Sequence, residues 1–454
     1  MRLINHARRH FLRRSAAWGT LSALAAHGLS AAQAQSLNDY KALVCVFLYG
    51  GNDGSNMVIP ADSAGYAEYA AVRTSASGIQ IPQSELLLFQ PKNSTRVFGF
   101  HPALDRLHPL FAQGKLAVLA NVGPLNRPTT KADYQAGRDL PYQLFSHPDQ
   151  QAQWQSAASR APTSHGWGGR IADAVAARNA GAAIPSVISF AGASRWGQGQ
   201  TISPLTLPTS GSLTLNGVSG NDAVSRAPRE ALAALLDEAS EHVLVREAAD
   251  GLANAINVSA LVNPVLNSSP SAVAAAFAGS TGSLATQLQQ VAKMIASRSS
   301  FGLKRQIFFV SLGGFDTHAN QATTHEALLT QLDDALRAFY DATVALGVAD
   351  QVTTFTLSDF GRTLKPAAGA GTDHGWGNHH LILGGAVKGG VLYGRFPSLA
   401  LGGPDEVGEG RLLPSTSVDQ YAAVLARWFG LDDAALATVL PNLSAFPEPL
   451  PAFL

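Results

Sequence analysis

Five short runs constrain this chain more than any other feature: Ala42–Tyr49 (ALVCVFLY), Leu116–Val122 (LAVLANV), Ile184–Phe190 (IPSVISF), Gln306–Leu312 (QIFFVSL) and Val352–Leu357 (VTTFTL). Each is short, β-branched or aromatic, and mostly apolar on both faces, so it has little to offer to water. Strands of that kind lie in sheets covered on both sides by helices, and such sheets are largely parallel. The intervening sequence supplies the helices: in 325–346, HEALLTQLDDALRAFYDATVAL, residues Leu328, Leu329, Leu332, Leu336 and Phe339 recur at helical spacing. The expected fold is α/β, a doubly wound and mostly parallel sheet flanked by helices. Near the end, Ser417-Val-Asp-Gln420 is a capping box that opens a helix through Trp428, with Gly430 to close it.

A single domain over 35–454 accommodates this pattern. Within it, 195–220 is dense in Gly, Ser, Thr and Pro and reads as an inserted loop or small hairpin. Helical patterns from 223 to about 258 and from 283 to about 297 follow, so 195–300 is a mainly helical candidate insertion or cap. The first 34 residues read differently. Arg8-Arg9-His-Phe-Leu12 precedes an uncharged, Ala-rich stretch ending in Ala32-Gln-Ala34, the pattern of a cleavable twin-arginine export signal. The expectation is a periplasmic or extracellular protein whose export partner is the twin-arginine machinery, with no stable membrane span after cleavage. That route carries folded proteins, often with a cofactor already in place.

Without residues 1–34 the chain has 27 basic and 32 acidic side chains, a net charge of about −5, which argues against a nucleic-acid partner. The lone Cys45 sits inside an apolar run and reads as a buried small hydrophobe. There is no P-loop, no dinucleotide-binding glycine fingerprint after a strand, no Cys-x-x-Cys and no Gly-x-Ser-x-Gly elbow. ATPases, nicotinamide enzymes and ordinary serine esterases lose ground accordingly.

Chemistry enters where the strands end. After FLY comes Gly50-Gly-Asn-Asp53-Gly-Ser-Asn56, after VSL comes Gly313-Gly-Phe-Asp316-Thr-His318, and after FTL comes Ser358-Asp359-Phe-Gly-Arg362. In an open α/β sheet the carboxyl ends of the strands are where ligands bind. One such acid is ordinarily a turn former or helix cap; three, joined by Asp373-His374 in GTDHG, point to a site. Carboxylates with imidazoles suit a divalent transition metal better than calcium, with zinc favoured, as one ion or a pair. Asp316-Thr-His318 puts two ligands on one side of an extended segment, and His374 arrives from another loop. His379 and His380 follow on a strand, where at least one should face solvent or stand behind the ligands. His101, His108, His147 and His165 lie beside prolines or glycines and read as loop or packing residues.

GGNDGSN, GGFDTHANQ, SDFGRT and GTDHGWG followed by GGAVKGGVLYG, in this order, resemble the exported bacterial family called domain of unknown function 1501, over about Leu43 to Leu443. That family is in turn distantly similar to the alkaline phosphatase and sulfatase superfamily. The resemblance implies an alkaline phosphatase-like α/β fold with metals over the carboxyl edge, and a metal-dependent hydrolase of a small anionic phosphate or sulfate ester. By position, Asp53 and Asp359 would hold one metal and Asp316, His318 and His374 the other. Two departures stand out: Phe360 occupies the position of a superfamily histidine, and Asp316-x-His318 is closer spaced than Asp-x-x-x-His. One site would then be incomplete, or filled by Asp373, His325 or His379. The superfamily's nucleophile sits at a helix N-terminus, for which Ser146 is the candidate here and Ser55 the second choice. Arg362 would clamp the anionic substrate or pair with Asp359. The alternative to turnover is an exported binding or assembly protein that keeps the fold and part of the metal site.

Overall fold

Runs with no polar face fold into the middle of a sheet, and every side chain from Ala42 to Leu48 is buried. Each large aliphatic or aromatic side chain buried there stabilises the fold by roughly 1.5–3 kcal/mol. The computed structural model describes residues 39–161, 163–215, 223–236, 242–446 and 449–454. The export-signal reading of 1–34 lies outside them. The strands are β1 (Lys41–Tyr49), β2 (Val58–Pro60), β3 (Leu87–Phe89), β4 (Phe98–Phe100), β5 (Leu116–Gly123), β6 (Val187–Ser189), β7 (Leu205–Thr206), β8 (Arg305–Gly313), β9 (Val352–Ser358), β10 (Arg362–Ala367), β11 (Gly371–His374), β12 (Asn378–Gly384), β13 (Leu392–Tyr393) and β14 (Thr416–Ser417).

Among the described residues the central sheet has nine strands in the order β13-β5-β12-β9-β1-β8-β6-β7, with β14 beside β5. All of its pairings are parallel except those of β12, which runs against both β5 and β9. The fold is therefore mixed α/β with a mostly parallel sheet, flanked by helices such as Gln321–Ala345, Ser283–Ala296 and Val418–Phe429. The reversed β12 matters for the site. Its first residue, Asn378, lies at the edge where β1, β8 and β9 end, so the segment leading into it meets the loops leaving them.

Two pieces differ from expectation. Only Val187–Ser189 of the 184–190 run is strand, since Pro185 cannot donate to a ladder. The 195–220 stretch is not a hairpin, because β7 adds to β6 in parallel; its residues 216–220 lie outside the description. Helix Ser283–Ala296 packs on β8 and on Gln321–Ala345. The capping box forms as written: Ser417 Oγ accepts from Gln420 N and Gln420 Oε1 accepts from Ser417 N, both at 3.0 Å, and Gly430 closes the helix at φ 123°. No helix among the described residues is long and apolar enough to cross a membrane.

Candidate metal centre

β1 and β8 pair in parallel with Tyr49 opposite Gly313, so their glycine turns stack. Gly50 has φ 113°, and a Cβ there would lie 2.3 Å from the Asp316 nitrogen, which only glycine permits. Beyond that turn the chain is extended: Thr317 is buried, while the side chains of Asp316 and His318 are 46% and 45% exposed and share one side. The hairpin of β10 and β11 then brings Arg362 opposite His374. Gly371 lets it approach, since a Cβ at that residue would stand 2.1 Å from the His318 carbonyl carbon. From the other side comes the helix His147–Ser156, whose first residue supplies a further imidazole.

These elements place three imidazoles and a carboxylate together. His374 Nε2 lies 3.1 Å from His147 Nε2, 3.0 Å from His318 Nε2 and 3.5 Å from Asp316 Oδ1. Asp316 Oδ1 is also 2.9 Å from His318 Nε2 and 3.3 Å from His147 Nε2. Ligand atoms on a tetrahedral zinc with bonds of ~2.0–2.1 Å are roughly 3.3 Å apart, and each of these five separations is close to that. Two triads with ligand atoms within 4.8 Å share His374: His147, Asp316 and His374, and His318, Asp373 and His374.

What turns two of the Nε2 atoms inward, those of His147 and His374, is an oxygen hydrogen-bonded behind the ring. His147 Nδ1 is 2.6 Å from Asp359 Oδ2, His374 Nδ1 is 2.8 Å from the Phe145 carbonyl, and His318 Nδ1 is 3.4 Å from Asp373 Oδ1. An acceptor at Nδ1 fixes the tautomer that leaves the Nε2 lone pair for a metal. Gln151, one turn along the helix from His147, donates to the same Asp359 oxygen at 2.8 Å. Asp359 is fully buried, and its Oδ1 has no hydrogen-bond partner among the described residues. Such a carboxylate is costly unless positive charge stands near. Phe360 packs against the rings of His147 and His374, with centroids 4.7 and 4.8 Å away.

Electrostatics follow from these contacts. The hydrogen bond that His147 Nδ1 donates to the Asp359 carboxylate, against some desolvation, raises the His147 pKa above 6.5. Burial chiefly lowers that of His374. For Asp316 burial alone would raise the pKa, but the hydrogen bond and charge of Arg362, with His147 and His318, bring it below its ordinary value. The donor set is thus a carboxylate held ionised and imidazoles held by outer oxygens, which fits a divalent transition metal.

Of the residues singled out in the sequence, Asp316, His318, Asp373 and His374 meet here, and Asp359 stands behind His147. Asp53 does not reach the cluster. Its carboxylate pairs with Arg73 at 2.8 Å with both side chains fully buried, caps Asn56 N and accepts from Gln321. Arg362 pairs with Asp316 at 2.8 Å rather than with Asp359, and donates to both Thr372 Oγ1 and the Thr372 carbonyl. Ser146 precedes His147 at the helix start and donates to Asp149 Oδ2 at 2.5 Å. Ser55 is buried in the short helix Gly54–Met57. His325 is buried against Asn52 and His379 against the Asn121 amide, and desolvation lowers the pKa of each to about 4. Neither His379 nor His380 faces solvent, because β12 lies inside the sheet and is covered on both faces.

His147 was legible only as a loop histidine. The available signal was its place one residue after Ser146, with Gln151 at i+4 on the same helix face.

A family model described as a protein of unknown function, DUF1501, matches residues 40–440. No curated protein matches the chain. Among solved structures, one described as the crystal structure of Ps i-CgsB in complex with k-i-k-neocarrahexaose is similar at 10% identity and TM-score 0.33, over 87% of this chain and 73% of that one. A likeness at that level carries no functional argument.

Proposed function

We propose, from the premise that the chain belongs to the DUF1501 family, that it is an exported, divalent-metal-dependent hydrolase of phosphate or sulfate esters. The observation that supports this reading is the convergence of three imidazole Nε2 atoms on Asp316 Oδ1, with an oxygen hydrogen-bonded at Nδ1 behind His147 and His374. His147, His318, His374 and Asp316 would hold one ion, with zinc favoured. When bound, such an ion supplies a Lewis acid that polarises the ester and lowers the pKa of the attacking group. The alkaline phosphatase-like relationship belongs to the same proposal, with His147 supplying an imidazole beside Phe360, where the resemblance would have placed a histidine.

The chain's own residues do the remaining work. Arg362 holds Asp316 in place, Asp359 and Gln151 hold His147, and Asp373 stands behind His318. Ser146 is the candidate nucleophile: its hydroxyl proton already points to Asp149, which would accept it as the oxygen attacks phosphorus or sulfur. The bond to the ester oxygen would break as the Ser146 bond forms, the departing alkoxide taking the proton from Asp149, and water would then hydrolyse the seryl ester to release phosphate or sulfate and restore Ser146. Export through the twin-arginine machinery, with residues 1–34 as its signal, would carry the chain out after the metal is bound.

Metal analysis of the purified chain, joined to a panel of aryl phosphates, phosphodiesters and sulfates, tests the reading. About one equivalent of metal and metal-dependent turnover are expected, with Ser146→Ala lowering kcat at least ~100-fold at unchanged metal content. Metal without turnover across the panel would select the binding-protein alternative, and absence of metal under metal-replete conditions would sink both.

A further inference from the structure

We infer that Arg411 receives the anionic group of the substrate at this centre, an assignment that rests on the hydrolase reading above. Arg362, the arginine singled out by its sequence position, is already committed. Its side chain is fully buried, its Nε donates to Thr372 Oγ1 at 3.1 Å, its Nη1 to Asp316 Oδ1 at 2.8 Å and its Nη2 to the Thr372 carbonyl. Such a guanidinium fixes a ligand carboxylate and keeps no fork for a second anion.

Arg411 is placed differently. It is partly exposed, its Nε donates to the main-chain carbonyl of His374 at 3.1 Å, and its guanidinium lies 4.3 Å from the Phe145 ring centroid. Both contacts are to residues that set the central imidazole, since the Phe145 carbonyl faces His374 Nδ1. Among the described residues Nε makes the only hydrogen bond of this guanidinium, so both Nη groups keep their donors. The acid two residues before it, Glu409, makes its ion pair with Lys365 at 2.8 Å and acts on Arg411 only through its charge. A guanidinium pinned at Nε and stacked on a ring loses little freedom on binding, and its paired Nη groups match two oxygens of a tetrahedral oxyanion. Phosphate and sulfate esters share that group.

The test uses the full chain loaded with zinc and titrated calorimetrically with inorganic phosphate and, separately, with sulfate. Arg411→Met should weaken the tighter anion by at least about tenfold, with Arg411→Lys intermediate and zinc content equal to wild type in both. The anion that wild type prefers identifies the ester class. Wild-type anion affinity in Arg411→Met would overturn the assignment. So would loss of zinc together with the anion, which would make Arg411 a support of His374, and so would a zinc-loaded wild type that binds neither anion. A wild type that holds no zinc would instead overturn the hydrolase reading itself.

Discussion

β1 and β8 are neighbours in the sheet and end in nearly the same words, Gly50-Gly-Asn-Asp53 and Gly313-Gly-Phe-Asp316, yet the two aspartates do opposite jobs. Asp53 is fully buried, neutralised by Arg73 and tied to Asn56 and Gln321. Asp316 is half exposed and faces three imidazoles. The glycines do the same for both, turning the chain sharply at the sheet edge. What differs is the arriving partner: the Arg73 side chain at the end of the helix Ser63–Val72 in one case, and in the other His147 and His374 from two distant segments, which join His318 two residues along. An acid after a strand therefore announces a position at the edge, and distant sequence decides whether it braces the fold or waits for a ligand.

The strongest way to break this contrast is to neutralise each acid in turn. Asp53→Asn leaves Arg73 buried without its counter-charge and should cost about 3–5 kcal/mol of stability, with the folded fraction still binding metal. Asp316→Asn should lose the ion and, although it also takes a counter-charge from buried Arg362, should destabilise the metal-free chain less than Asp53→Asn does, since Asp316 is half exposed. Denaturant titration and metal analysis on the same two preparations decide it. If Asp53→Asn loses metal at full stability, Asp53 is a ligand and the contrast fails.

A smaller effect sharpens the picture at Asp359, which acts through His147. Asp359→Asn should weaken zinc affinity by about 10–100-fold without abolishing binding, as read by chelator competition. Unchanged affinity would show that the His147–Asp359 contact does not prepare a ligand.

The smallest effect expected is a pH signature of opposite sign with and without metal. The Asp359 hydrogen bond raises the His147 pKa above 6.5 in the fold. In the metal-free chain, His147 therefore contributes stability that is complete below its ordinary pKa and lost as pH rises through the raised one. Zinc requires the neutral ring, so affinity should instead fall as pH drops through that same raised value. Melting curves between about pH 5 and 8, with and without zinc, should cross in slope; parallel curves would place His147 outside the centre.

The sheet was largely legible because its strands carry their burial in their own sequence, and the Ser417 capping box because its partners are three residues apart. The antiparallel β12 was not, since direction is set by neighbours. In the site, Asp316-Thr-His318 was legible because alternation along an extended segment is local. His147 was not, because its value comes from Asp359 and His374, more than two hundred residues away in sequence. Asp53 looked like a ligand for the mirror reason, its neutralising Arg73 being a pairing that only the fold creates.

X-ray absorption on the zinc-loaded full chain tests the central claim most directly. One zinc per chain with three imidazoles and one carboxylate oxygen at about 2.0–2.2 Å is the predicted result. No retained zinc after metal-replete preparation, or a zinc shell with fewer than two imidazoles, would contradict it.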